Sequence, residues 1–274
     1  MALTQKDKAI RFRNLHDRAG VFIIPNPWDS GSARILSGCG FQALATSSAA
    51  AASIVGRRDH GLSRYEALAH ARLIVEATDL PVSADLENGF GDKPETVAET
   101  VRHAAEVGLV GCTIEDATGD SDKPLYEFEL AVERIAAAAQ AARGLKFPFM
   151  LTARAHNFLF ASPSLDDTIR RMLAFEEAGA DVLFAPGLPS LDIVRKVCEA
   201  TSKPFNFMVG IPGKSFSIAE LEAVGVKRIS LATSLYRAAM SGLLDAISEI
   251  KDKGQFTFLE RCMSTAEVNA AMGI

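Results

Sequence analysis

Apolar residues fall along this chain in two alternating rhythms. Short apolar runs of strand length occur at Val21–Ile24, Phe41–Ala45, Val82–Ala84, Gly111–Ile114, Phe149–Thr152, Val182–Phe184, Phe205–Met208 and Arg228–Leu231. Between them, apolar positions recur at helical spacing. Val97, Val101, Ala104 and Ala105 share one face, as do Ile169, Met172 and Leu173. The same holds for Leu191, Val194, Val197 and Cys198, and for Leu243, Ala246, Ile247 and Ile250. Glycine stands between helix and strand in Ser37-Gly38-Cys39-Gly40, Glu106-Val107-Gly108-Leu109, Glu177-Ala178-Gly179-Ala180 and Ala223-Val224-Gly225-Val226. That position suits the left-handed cap that ends a helix before a short loop.

Strands that alternate with helices pair in parallel through right-handed crossovers. Eight such units predict an α/β fold of the (β/α)8 TIM-barrel type, in preference to a doubly wound open sheet. No linker interrupts the chain, so residues 1–274 read as a single barrel domain. Residues 1–20 read as an N-terminal helix capping the barrel, and 21–250 as the barrel itself. Residues 255–274 read as a C-terminal helical extension carrying Phe256, Phe258, Leu259, Met263 and Val268. The extension lies beyond the helix that closes the barrel, which leaves it available to a partner subunit.

Composition narrows the function. Hydrophobic residues make up 48% and charged residues 23%, a globular balance that excludes disorder. A net charge of −5 provides no basic face for nucleic acid. No run of 18 apolar residues offers a membrane span, and the N-terminus lacks the apolar core of a signal peptide, so a cytoplasmic location is expected. Cys39, Cys112, Cys198 and Cys262 lie far apart with no CxxC pair. They read as buried free thiols, not as a zinc site.

In a barrel the chemistry belongs at the C-terminal ends of strands. There stand Asn26 to Asp29, Thr46-Ser47-Ser48, Asp85 to Gly91, Glu115-Asp116 and Arg154-Ala155-His156-Asn157, with Asn206 on strand seven and Thr233-Ser234 after strand eight. Asp85, Glu87 and Glu115 converge in such a fold. Unpaired, they would repel and raise one another's pKa, and a hard divalent cation such as Mg2+ would resolve the conflict. The plainer alternative is that they cap helices or pair with arginine and lysine. Arg154 suits a bidentate carboxylate clamp, or a salt bridge to Glu115 or Glu87. Ser47 with adjacent backbone N–H groups offers a carboxylate cradle, or a helix cap. His156 reads as catalytic or structural. His60, within Arg57-Arg58-Asp59-His60-Gly61, sits either on a solvated loop or on an active-site cover.

These motifs, in this order, resemble the isocitrate lyase/phosphoenolpyruvate mutase superfamily over nearly the full length. The matching pieces are Asn26-Pro27-Trp28-Asp29-Ser30-Gly31-Ser32-Ala33-Arg34, Thr46-Ser47-Ser48-Ala49 and Gly56-Arg57-Arg58-Asp59. They continue with Asp85-Leu86-Glu87-Asn88-Gly89-Phe90-Gly91, Ile114-Glu115-Asp116 and Thr152-Ala153-Arg154. The resemblance implies a (β/α)8 barrel that uses Mg2+, for which Mn2+ can substitute. It implies a homotetramer, a dimer of dimers, with the C-terminal helix exchanged between subunits. It further implies that Asp85 holds the metal directly, that Glu87 and Glu115 hold its waters, and that Asp59 lies close by. Thr46, Ser47, Ser48, Arg154 and Asn206 would bind a small carboxylate substrate, with Ser47, Asp59 and Arg154 taking part in catalysis through an enolate.

The departures shape the expected reaction. The isocitrate and methylisocitrate lyases carry a Lys-Lys/Arg-Cys-Gly-His motif after strand four. Here that stretch is Ala117-Thr118-Gly119-Asp120-Ser121-Asp122-Lys123-Pro124, with neither Cys nor His. The phosphonate-forming mutases place a lysine and an asparagine on this loop, and a Trp before the Ser47 position. Here Ser121 aligns with that lysine, Lys123 is displaced from it, and Ala45-Thr46 precede Ser47. The expected function is a Mg2+-dependent lyase of small α-oxo or hydroxy di- or tricarboxylates, by oxaloacetate-type decarboxylation or C–C cleavage to pyruvate or a homologue. The alternatives are phosphonopyruvate mutase or hydrolase chemistry, and a non-catalytic α-oxo-acid-binding protein.

Overall fold

A computed structural model describes residues 3–160 and 163–274. Eight strands form it: β1 (Phe22–Ile24), β2 (Leu44–Ala45), β3 (Val82–Asp85), β4 (Gly111–Glu115), β5 (Met150–Arg154), β6 (Val182–Phe184), β7 (Phe205–Met208) and β8 (Arg228–Ser230). All ladders are parallel, in the order β1-β8-β7-β6-β5-β4-β3-β2. The remaining seam, between β1 and β2, has no regular ladder. Pro25 ends β1, and its carbonyl accepts the Ala45 N–H at 3.0 Å. Asn26 then ties the seam, donating to the Thr46 carbonyl at 2.9 Å and accepting the Leu231 N–H at 2.9 Å. The (β/α)8 barrel predicted from the two rhythms is therefore present. Strand two is shorter than its apolar run, and strands three to five reach one or two residues further, onto Asp85, Glu115 and Arg154.

The helices are α1 (Gln5–Asp17), α2 (Ser30–Gly38), α3 (Ser48–Ile54), α4 (Arg64–Glu76), α5 (Pro94–Glu106), α6 (Phe128–Arg143), α7 (Leu165–Glu177), α8 (Leu191–Ala200), α9 (Ile218–Ala223), α10 (Ser234–Lys253) and α11 (Thr265–Met272). Helix α1 starts on a capping box between Thr4 and Asp7. Its apolar face closes the N-terminal mouth of the barrel. Ala9, Phe12 and Leu15 pack on Phe22, Ile24, Val110, Met150 and Val182. Gly111 makes room for this plug: a Cβ there would stand 2.7 Å from the Met150 carbonyl oxygen and 3.1 Å from the Phe12 ring. The main core lies between the outer faces of the strands and the surrounding helices.

Two expectations need correction. The face Leu243, Ala246, Ile247 and Ile250 was expected to close the barrel, yet α10 buries no residue and Leu243 is 52% exposed. An amphipathic stripe encodes a face and leaves open what covers it. The chain beyond Gly254 forms a short 3-10 turn, Thr257–Arg261, and then α11, which packs against α2 of the same chain. The cysteines are not uniformly buried either. Cys112 is buried and Cys198 half-buried, while Cys39 and Cys262 are exposed on this single chain.

Candidate active site

Strand alternation brings the predicted residues inward. Side chains two apart on a strand share a face. Thus Asp85, Glu115 and Arg154, the last residues of β3, β4 and β5, all turn into the mouth of the barrel, and Glu115 registers with Arg154. A cavity of about 330 Å³ opens there, lined among others by Ser47, Asp59, Asp85, Arg154, Phe184 and Asn206. A second cavity of about 340 Å³ adjoins it, sharing Ser48, Asp59 and Arg154, and adds Glu115, His60 and His156. Glu87 faces neither; it lines a third space with His60 and Asn88.

Asp85 is the hub. One oxygen accepts the Ser48 backbone N–H at 3.3 Å and its hydroxyl at 3.1 Å. The other accepts the Thr113 hydroxyl at 3.2 Å, the Glu87 N–H at 3.3 Å and Arg154 Nη1 at 3.3 Å. The Thr46 hydroxyl oxygen accepts the Asp85 N–H at 3.0 Å. The loop after Asp85 folds back sharply, with Glu87, Gly89 and Phe90 all at positive φ. At Gly89 a side chain would also press on Val97, so glycine serves both the φ and the packing. The buried Arg134 holds this loop by donating to the carbonyls of Asn88, Gly91 and Asp92.

Arg154 joins two of the acids, with Nη1 3.3 Å from Asp85 and 3.2 Å from Glu115 Oε2. Its guanidinium lies over the Phe184 ring at 5.0 Å. Burial would lower its pKa, but Glu115 and Asp85 outweigh burial and raise it. His156 Nε2 is 3.1 Å from the same Glu115 oxygen. Burial would push Glu115 up, yet His156 and Arg154 overcome it and hold the carboxyl at about 2. Glu115 Oε1, buried, has no hydrogen-bond partner. His60, at positive φ, reaches in from the loop before α4. Its Nδ1 is 3.3 Å from Glu87 and its Nε2 3.6 Å from Glu115. The bond to Glu87 raises its pKa to about 9, while burial raises that of Glu87. His60 thus docks on the two glutamates from an exposed loop.

Other residues fall into different places than their sequence positions suggest. Ser47 is the N-cap of α3, accepting the Ala50 N–H at 3.4 Å, so its hydroxyl is engaged in capping; Ser48 makes the contact to Asp85. Asp59 lines both cavities from an exposed loop. Asn206 lies deeper, donating to the Ser230 hydroxyl at 3.0 Å and accepting Arg228 Nε at 2.7 Å. Asp116 turns out of the cavity, where it accepts the His156 N–H at 2.8 Å and pairs with Arg171 at 3.2 Å. Lys123, on the loop after β4, is exposed. Sequence reasoning missed Arg228, a buried guanidinium inside the barrel. Its signal was a lone charge opening an apolar strand.

The acid cluster meets a test for a divalent cation. Among the described residues, no three His, Cys, Asp or Glu side chains stand together at metal-holding spacing. Protein cations, Arg154 and His60, lie between the carboxylates instead. The donors are nonetheless three carboxylates, the oxygen set that hard cations select, and one buried oxygen, Glu115 Oε1, makes no hydrogen bond, with His60 Nε2 3.6 Å away. The donor chemistry suits a hard divalent ion, while the three acids as placed are held apart by Arg154 and His60.

The profile of a family described as phosphoenolpyruvate phosphomutase matches residues 12–251. Among solved structures, a lyase/mutase-like protein from Burkholderia cenocepacia J2315 superposes with a TM-score of 0.96 at 50% identity, covering 98% of this chain and 97% of that one. The structure of a 2,3-dimethylmalate lyase superposes with a TM-score of 0.87 at 26% identity, covering 97% and 95%. The oxaloacetate decarboxylase of Paraburkholderia xenovorans (strain LB400) is 28% identical, over 88% of this chain and 81% of its own length.

Proposed function

The chain belongs to the isocitrate lyase/phosphoenolpyruvate mutase superfamily, and on that premise we propose that it is a Mg2+-dependent lyase of small α-oxo or hydroxy di- or tricarboxylates. It acts by oxaloacetate-type decarboxylation or by C–C cleavage that yields pyruvate or a homologue. The observation that carries this reading is the pair Asp85 and Glu115 bridged by Arg154, with Glu87 and Glu115 both reached by His60 and with Glu115 Oε1 making no hydrogen bond. Three acids at the mouth of a barrel, offset by fewer cations than a bound oxo acid needs, favour a site completed by a metal ion.

Asp85, Glu87 and Glu115 would hold the cation, Mg2+ or Mn2+. When bound, it supplies positive charge beside the oxygen that becomes anionic as the C–C bond breaks. Arg154 offers its planar fork to the carboxylate of the oxo-acid end, after easing from Asp85. At the start of α3 the Ser48 N–H is spent on Asp85, so the Ser47 N–H would be the one offered to the same negative charge. The Thr46 hydroxyl holds Asp85 in place by accepting the Asp85 backbone N–H. Phe184 and Leu159 keep the cavity partly apolar, which strengthens each charge interaction within it. Asp59 is the acid closest in chain to His60 and faces both cavities. The loop 117–124 brings no Cys or His acid, so the reaction that fits is one whose departing group needs no proton from that loop, as in loss of carbon dioxide. A mutase reading has less support, because Lys123 is exposed.

The exposed apolar face of α10, with Leu243, Leu244, Ile247 and Ile250, supports a homo-oligomer in which this helix packs on a neighbouring barrel. No helix among the described residues is long and apolar enough to cross a membrane, and a cytoplasmic location fits this chemistry. Steady-state assays of folded protein against oxaloacetate and an alkylmalate panel, with Mg2+ and with EDTA, test the reading. Absence of metal-dependent turnover of every one of these acids refutes it.

A further inference from the structure

The two carboxylate oxygens of Glu115 are placed differently. Oε2 is engaged by Arg154 at 3.2 Å and by His156 at 3.1 Å. Oε1 is buried and makes no hydrogen bond, and His60 Nε2 stands 3.6 Å from it. The other nitrogen of the same ring, Nδ1, lies 3.3 Å from Glu87 Oε2. One imidazole therefore fills the gap between two of the three acids. Carboxylates share a divalent ion only when their oxygens, or waters on them, converge on one point. Glu87 and Glu115 converge on the His60 ring instead.

The segment that delivers this ring is loosely joined to the barrel. Residues 55–61, between α3 and α4, are all exposed. Leu62 ends the segment, clustered with Ala51 and Ala52 of α3. The Arg57 N–H donates to the Ala52 carbonyl at 2.9 Å and the Gly61 N–H to the Arg58 carbonyl at 3.0 Å. Arg57 Nη1 pairs with Glu66 of α4 at 2.7 Å. Among the described residues, the hydrogen bonds and ion pairs that tie 55–61 to anything beyond α3 and α4 are those of His60. His60 also stands at φ 60°, a conformation that a histidine keeps only where its surroundings hold it.

We propose that His60 is a built-in competitor of the cation: its ring and a divalent ion claim the same space between Glu87 and Glu115, and the ion is held only when segment 55–61 lifts. This rests on the reading that Asp85, Glu87 and Glu115 hold the ion. It makes metal uptake and loop opening a single linked equilibrium, in which the docking of His60 sets how much free metal the site needs.

The test is Mn2+ binding, with the free ion counted by electron paramagnetic resonance. The His60 side chain is 39% exposed, so His60→Ala leaves the core untouched. That variant is expected to bind Mn2+ about tenfold more tightly than wild type, the scale of one hydrogen bond to a charged group. The gain should vanish when Asp85→Ala is added; a gain that survives comes from another site and overturns the proposal. Amide exchange of residues 55–61 should quicken in wild type when Mg2+ is added, and in His60→Ala it should be fast with or without Mg2+. Wild-type binding matched or exceeded in strength over His60→Ala overturns the competition and leaves the metal reading standing, as does slower exchange of 55–61 in Mg2+. Protein that takes up no Mn2+ in either form refutes both.

Discussion

Removing the guanidinium at Arg154 separates its two roles. Its Nη1 sits 3.3 Å from Asp85 and 3.2 Å from Glu115, whose side chain is 3% exposed. In Arg154→Met the carboxylates lose their shared cation in a poorly hydrated place. Breaking one partner out of a buried pair costs about 3–5 kcal/mol. For a chain of this size that corresponds to a Tm lowered by about 6–20 °C. His156 and His60 remain beside Glu115, so the lower end is expected. A divalent cation should restore what the variant lost. Differential scanning calorimetry in EDTA and then in Mg2+ should show a larger metal-induced rise in Tm for the variant than for wild type. Arg154→Lys keeps the charge and should keep most of the stability, while kcat/KM falls about tenfold to a hundredfold because a point charge does not replace the fork. A variant that melts with wild type in EDTA would show that Arg154 does not neutralise the acids. A metal shift no larger than that of wild type would show that the cation binds elsewhere.

Other expectations follow from the same geometry. Asp85→Ala should cut Mg2+-dependent turnover by at least about a hundredfold with the circular dichroism spectrum unchanged, and persistence of activity would refute the metal assignment. Glu115 is held at about 2 against an ordinary 4.5, so its native charge stabilises the fold above pH 4.5, and that contribution is lost as pH falls from there through 2. Urea midpoints between pH 5 and pH 3 should therefore fall less steeply for Glu115→Gln than for wild type; parallel slopes would contradict the assignment. Gly111→Ala should destabilise by about 1–3 kcal/mol, since its Cβ would meet a backbone carbonyl that cannot swing away. An unchanged melting curve would mean that the plug is not seated as described.

Much of this was legible because period encodes face. The barrel pattern put Asp85, Glu115 and Arg154 at the C-terminal ends of adjacent strands, and the eight strands lie where the apolar runs do. What stayed hidden depends on which partner a face meets. The stripe on α10 reads the same whether it covers its own barrel or none. His60 could sit in solvent or over the acids, because a loop's path is set by the groups it docks on, here Glu87 and Glu115. Thr46-Ser47-Ser48 offered three hydroxyls. Only the turn into α3 decides that one caps, one steadies the Asp85 backbone and one touches its carboxylate.

The plug formed by α1 also governs traffic. With Phe12 and Leu15 packed across the N-terminal end, the cavity among the described residues opens on the side of the loops that carry Asp59 and His60. On the lyase reading, a bond broken in a cavity closed at that end would yield two fragments that leave by the same side. The fragment held at Arg154 would then leave after its co-product. Release is then ordered, and the slower fragment should act as a competitive product inhibitor while the first does not.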